Sequence, residues 1–211
     1  ENPVRRADNQ AFPFEEMKKI SAWCRSKGYK LHLDGARLHM ASAFTGKSIK
    51  EYAQLFDTVY MCLYKYLGAT GGAVLCGDKK VIDEMTHLIK IHGGSIFTNW
   101  TNAAMALHHL QDVDAVMATV ISKSKPLFAG LAKLGIIVQS PENGTNQFNV
   151  ALPKGLDPAK FNSRLRAEHN IIFGMPREDG FVKIKVNPTL ARRDNEKILA
   201  AFTEAMAFAK A

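Results

Sequence analysis

Two polar residues stand where apolar segments run out: Asp34 after LHL and Lys65 after TVYMCLY. A buried strand does not ordinarily end in a charged side chain, so an acid and an amine at two successive strand ends point to a site rather than to a surface. A lysine amine bonds covalently to a carbonyl carbon. A fixed carboxylate holds a protonated ring nitrogen. Gly35, Gly68, Gly71 and Gly72 flank the pair and let the backbone turn sharply and come close to a flat ring. A lysine tether, an acid for a pyridine nitrogen and a close-fitting backbone are what pyridoxal 5'-phosphate asks of a protein.

The elements that must deliver these residues are legible from spacing. Met17, Ile20, Trp23 and Cys24 recur at helical intervals over 14–27, after Pro13 and before Gly28. Residues 29–33 (YKLHL) form a short strand, 36–44 and 49–55 two helices, and 58–63 (TVYMCL) a nearly all-apolar strand of the kind covered on both faces. The helical stretch between the two strands allows a parallel crossover, whereas 73–76 follows too soon and returns antiparallel. Asp34 and Lys65 then share the edge outside the carboxyl ends of parallel strands, where open α/β sheets bind ligands. Three strands leave the 29–33 edge bare, so further strands are expected before Glu1, or pairing with another chain. TGKS at 45–48 lacks the upstream glycine of a phosphate loop and reads as a connection between helices.

Asp78 caps a helix to about residue 90, and 99–109 and 112–134 follow as helices, the last containing Pro126. From there the pattern changes. Strands at 136–139, 147–152 and 181–186, a helix opened by Asp157-Pro158 and a final helix capped by Asp194 describe a small α+β domain. The expected division is 1–112 for the later part of an α/β large domain with a mixed, mostly parallel sheet, and 113–211 for the small domain.

Composition excludes several classes. Apolar residues are 46% of 211, enough for real cores, and no apolar run approaches the roughly 18 residues of a membrane span. The net charge of +8 comes from 28 basic and 20 acidic residues scattered singly or in pairs, which does not read as a nucleic-acid surface. Cys24, Cys62 and Cys76 are odd in number, lack metal spacing and suit buried reduced thiols in a cytoplasmic chain.

HLDGARLHMA followed by FDTVYMCLYKYLGATGGAVLCG resembles the low-specificity threonine aldolase and β-eliminating lyase family of fold-type I pyridoxal-phosphate enzymes. Glu1-Asn2 is similar to that family's E-N-T-H segment, and KIHGGSIF at 90–97 to its glycine-rich stretch. The resemblance covers essentially the whole chain and corresponds to a member's later three-fifths. It implies that Lys65 bears the cofactor, that Asp34 meets its pyridine nitrogen, and that Arg37 helps hold the substrate carboxylate and binds at the cofactor site. Lys183 falls where the family has a second carboxylate-binding arginine, supplying charge without a bidentate fork. Tyr64 and Tyr66 replace the serine and glycine that many members carry beside the lysine.

The implied activity is aldol cleavage of threonine-like β-hydroxy-α-amino acids to glycine and an aldehyde, in a homodimer or homotetramer whose partner is a small amino-acid substrate. β-Elimination on the same fold is the enzyme alternative. A catalytically silent fragment or assembly subunit is the alternative of another class. His32, on the face of Asp34, reads either as a partner behind the acid or as a core histidine.

Overall fold

The computed structural model describes residues 1–210, which divide into two compact units, Glu1–Ala115 and a second that begins at Val116.

In the first unit, α1 (Phe14–Ser26), β1 (His32–Asp34), α2 (Leu38–Thr45), α3 (Ile49–Ala53) and β2 (Thr58–Cys62) form a β-helix-helix-β crossover. β1 and β2 run parallel, with Leu33 opposite Val59 and Asp34 opposite Tyr60. β3 (Ala73–Gly77) returns antiparallel to β2. The sheet is therefore mixed, in the order β1-β2-β3, with β1 at one edge. Among the described residues, the backbone bond on β1's outer side is Asn2 N–H to Asp34 O at 3.1 Å.

The expected strand at 29–33 begins later than its apolar pattern suggests. The linking residues spend their backbone groups elsewhere: Tyr29 N–H on Cys24 O, and Leu31 N–H on the Asp57 carboxylate at 2.8 Å. That bond, followed by Lys30, holds the Asp57 carboxyl below its usual range. Ser48 and Glu51 form a reciprocal capping box at the start of α3, so the TGKS segment is the connection its sequence suggested.

Met17, Leu33, Leu38, Ala41, Tyr52 and Val59 make this unit's core. α1 buries less than its stripe promised, because Ile20 and Trp23 are about half exposed. Ile20 instead lines an apolar cavity of about 180 Å³ with Phe12, Met17, Leu31 and Leu33. β2 is not buried on both faces either: Val59 and Cys62 are inside, while Tyr60 and Met61 are half-buried. α4 (Lys79–Ile91) starts at an Asp78 cap and buries none of its residues; α5 (Trp100–Leu110) follows.

α6 (Val113–Lys133) contains Pro126, and the division between the units falls within this helix. The second unit continues with β4 (Ile137–Gln139), β5 (Gln147–Ala151), α7 (Pro158–His169), β6 (Val182–Lys185) and α8 (Asn195–Ala209). Its three strands are antiparallel in the order β4-β5-β6. Asp157 accepts from the N–H groups of Ala159 and Lys160, and Pro158 takes the first helical position where no N–H is needed. Phe161, Phe173 and Phe202 meet edge to face with ring centroids 5.4–5.6 Å apart. Leu131, Ile136, Val150, Leu165 and Ala205 close the core around them.

Candidate active site at the rim of the first sheet

β1 carries its acid to the very end of the strand. Asp34 Oδ1 accepts from Ala36 N–H at 3.0 Å, a tight turn that leaves Oδ2 for an incoming donor. Gly35 N–H donates to Tyr60 O at 2.8 Å, and a Cβ at Gly35 would come within 2.8 Å of that same oxygen. Glycine is thus required for the chain leaving Asp34 to hug the neighbouring strand. One turn on, the buried Cys62 thiol donates to Ala36 O at 3.1 Å, fixing the end of β2 to the same turn.

Arg37 sits at the start of α2, largely buried, with Nη1 donating to Glu1 Oε1 at 3.2 Å. A carboxylate already rests on the guanidinium.

The connection from β2 to β3 is the lysine loop. Leu63 N–H donates to Gly72 O at 3.0 Å and closes its neck, and Gly68 and Gly72 adopt positive φ. Lys65 is half-buried, its Nζ 5.2 Å from the centroid of the Tyr64 ring, within range of a cation–π attraction. Tyr60 stands in register with Asp34. Burial, then the Tyr64 hydroxyl, push the Tyr60 phenol up to about 12. Burial pushes Tyr66 up to about 12 as well, against the opposing pull of the Arg37 charge. Both phenols therefore keep their protons at neutral pH and can donate.

Asp34, Arg37 and Lys65 all belong to this rim. Lys183 belongs to the second unit, half-buried on β6 opposite Asn149 of β5, whose Oδ1 accepts from Arg177 at 3.3 Å. His32 is neither a core histidine nor seen behind Asp34: it is exposed and bonded through Nδ1 to Thr58 Oγ1 at 2.9 Å.

Three residues at the rim are given no site role by the sequence reading. Tyr60 was hidden in an apolar strand, although its place four residues before Tyr64 pairs the two phenols. Asn102 and His109 lie on α5. Asn102 Oδ1 accepts from Thr70 N–H at 3.1 Å, Thr70 Oγ1 at 3.0 Å and Gly71 N–H at 3.3 Å. The His109 ring lies against Gly68.

The donor set fits pyridoxal phosphate: an amine and an acid after adjacent parallel strands, a glycine cradle at Gly35, and the Tyr64 ring beside the amine. Such a rim, on a mixed sheet with its crossover helices, defines a fold-type I α/β enzyme. The chain belongs to the Beta-eliminating lyase family, which it matches over residues 4–152. It is 38% identical over 159 residues to the low-specificity L-threonine aldolase of Candida albicans, covering 75% of this chain and 42% of that one. It is 32% identical over 200 residues to the Saccharomyces cerevisiae (strain ATCC 204508 / S288c) low-specificity L-threonine aldolase, covering 94% and 50%. A solved Listeria monocytogenes EGD-E protein, assigned as an L-allo-threonine aldolase, superposes with a TM-score of 0.79 at 25% identity, over 97% of this chain and 59% of that one. The chain thus spans about half the length of the curated relatives it matches. Among the described residues, no helix is long and apolar enough to cross a membrane, and no cluster of His, Cys, Asp and Glu is placed to hold a metal.

Proposed function

We propose that this chain supplies the amine, the acid and a carboxylate clamp of a pyridoxal-phosphate-dependent lyase that cleaves threonine-like β-hydroxy-α-amino acids to glycine and an aldehyde. The observation that carries the reading is the delivery of Asp34 and Lys65 to one rim by adjacent parallel strands. When bound, the cofactor supplies an aldehyde that takes an amine and a ring that withdraws electrons from the substrate's α-carbon.

The chain's own residues do the rest. Lys65 Nζ would hold the cofactor as its tethering amine. Asp34 Oδ2 would accept from the ring N–H and keep that proton in place. Arg37 grips the substrate carboxylate. Tyr64 steadies the Lys65 amine through its ring face, and Tyr66 fills the space beside Arg37, narrowing the room left for the substrate's side chain. Homo-oligomeric assembly and a reducing, cytoplasmic setting belong to this reading. The exposed Phe97, Trp100 and Leu107 support the first; of the cysteines, expected to be buried, Cys62 is, while Cys24 is half-buried and Cys76 exposed.

The test is direct. Pyridoxal phosphate added to the full chain should produce a visible absorbance band that Lys65→Ala abolishes; a band that survives the substitution refutes the lysine assignment. Threonine should then yield glycine and acetaldehyde. Release of a keto acid instead would favour the second reading, β-elimination, to which the family's name gives weight. Arg37→Lys should raise KM for the amino acid, and unchanged kinetics would remove Arg37 from the clamp.

A further inference from the structure

We infer that Asn102 and His109, on one stripe of α5, are positioning residues that set where the Lys65 amine sits. The inference rests on Lys65 being the cofactor-bearing lysine.

The lysine loop is short of regular structure: Tyr64–Tyr66 form a turn, and Ala69 N–H donates to Leu63 O at 3.3 Å. A loop so placed needs partners from outside to hold one conformation. α5 provides them. Asn99, Asn102 and His109 lie three and seven residues apart, spacing that keeps them on one side of the helix. The three donors on Asn102 Oδ1 more than fill the two lone pairs of an amide oxygen. Its Nδ2 donates to Asn99 Oδ1 at 2.8 Å, which fixes the plane of the amide and the direction in which it accepts.

Asn99 is the residue at the N-terminal cap of α5, yet its side chain makes no capping bond to the helix. An asparagine there ordinarily satisfies a free N–H of the first turn. Here that side chain serves Asn102 instead and lies 3.7 Å from where a Gly72 Cβ would be. The helix gives up local stability and the loop gains definition.

His109 acts by shape. A Cβ on Gly68 would come within 2.4 Å of His109 Cδ2, so the loop lies flat on the imidazole three residues after Lys65. The neighbouring His108 ring meets His109 edge-on at 5.1 Å. The loop is thus pinned at Gly68 by contact and at Thr70–Gly71 by directed hydrogen bonds.

A staple needed only for folding would change stability and nothing else. The full chain should therefore be compared as Asn102→Leu, which removes the acceptor, and Asn102→Asp, which keeps the oxygens and loses the donor. One readout is the rate at which Lys65 is reductively methylated by formaldehyde without cofactor, resolved by peptide mass with Lys160 as the remote reference. The other is the affinity for pyridoxal phosphate from the Lys65-dependent band. Asn102→Leu should speed Lys65 labelling and weaken cofactor affinity by about threefold to tenfold, the size of one or two net hydrogen bonds. Asn102→Asp should stay within about twofold of the parent on both, with Lys160 unchanged throughout. If Asn102→Leu does not fold, Thr70→Val removes a single exposed donor and should shift the same readouts by about twofold to threefold. A folded Asn102→Leu or Thr70→Val protein with parental Lys65 labelling overturns the inference. Failure of the unsubstituted chain to take up pyridoxal phosphate would instead refute the functional reading, and the labelling comparison would still decide whether α5 positions the lysine.

Discussion

The two units solve the same packing problem to different degrees. In the second, three phenylalanines interlock edge to face, and helices and strands close around them. In the first, Leu33, Leu38, Met40 and Tyr52 are as fully buried, but Val81, Ile91, Phe97, Trp100 and Leu107 stand exposed on α4, α5 and the segment between them. Yet the first unit carries the acid, the amine and the guanidinium. The chemistry proposed for this chain sits on the less closed of its two units, where directed bonds such as those of Asn102 hold the lysine loop.

That contrast can be broken at its strongest point first. Phe161→Ala should cost about 3–5 kcal/mol, because it empties a fully buried aromatic site. Ile91→Ser should stay within about 0.5 kcal/mol, since its side chain is already exposed. Both of the chain's tryptophans, Trp23 and Trp100, lie in the first unit, so their fluorescence follows that unit while circular dichroism follows the whole chain. Equal costs for the two substitutions in thermal unfolding would mean that the units are equally closed.

The next effect is acid-dependent and belongs to the first unit. His39 is buried with neither ring nitrogen hydrogen-bonded and Asp114 Oδ1 4.0 Å from Nδ1; burial lowers its pKa from 6.5 against the weaker pull of Asp114. A histidine neutral in the fold and protonated when unfolded makes the unfolded state bind more protons as the medium becomes acidic. Stability from this residue is therefore full above about pH 6.5 and is lost as pH falls below it towards the lowered folded value. Tryptophan fluorescence during urea unfolding should show that slope, and His39→Leu should flatten it. A parental slope in His39→Leu would assign the effect elsewhere.

The smallest effect sharpens the picture at the lysine. Tyr64→Ser removes the ring beneath the amine and should weaken pyridoxal phosphate binding by about twofold to fivefold, as a loss of about 0.5–1 kcal/mol implies. Tyr64→Phe keeps the ring and should bind within about twofold of the parent. Equal losses in both would move the contribution from the ring face to the hydroxyl shared with Tyr60.

What was legible in the sequence was what local spacing controls. The short return from β2 to β3 forced antiparallel pairing, the Asp157-Pro158 pair marked the start of α7 to the residue, and the apolar runs put Asp34 at the end of one strand and Lys65 just beyond the next. What stayed hidden depends on neighbours remote in the chain. Periodicity places Ile20 and Trp23 on one face of α1 but says nothing of whether anything packs there. His32 shares a face with Asp34, yet in so short a strand that face proved solvent-exposed. Asn102 is 32 residues from Thr70, and no pattern in either segment announces that they meet. Tyr60 looked like one more apolar residue because a tyrosine in a strand usually is.

The Glu1–Arg37 pair has a further consequence. In the role proposed for Arg37, a substrate carboxylate would not add a partner to a bare cation; it would take over from one already in place. Its arrival would exchange one anion for another, with little change in the charge of the rim. The guanidinium is held in orientation beforehand, so less ordering remains when the ligand comes. Affinity at this point then measures a difference between two carboxylates, and Glu1 sets the reference against which any ligand must compete.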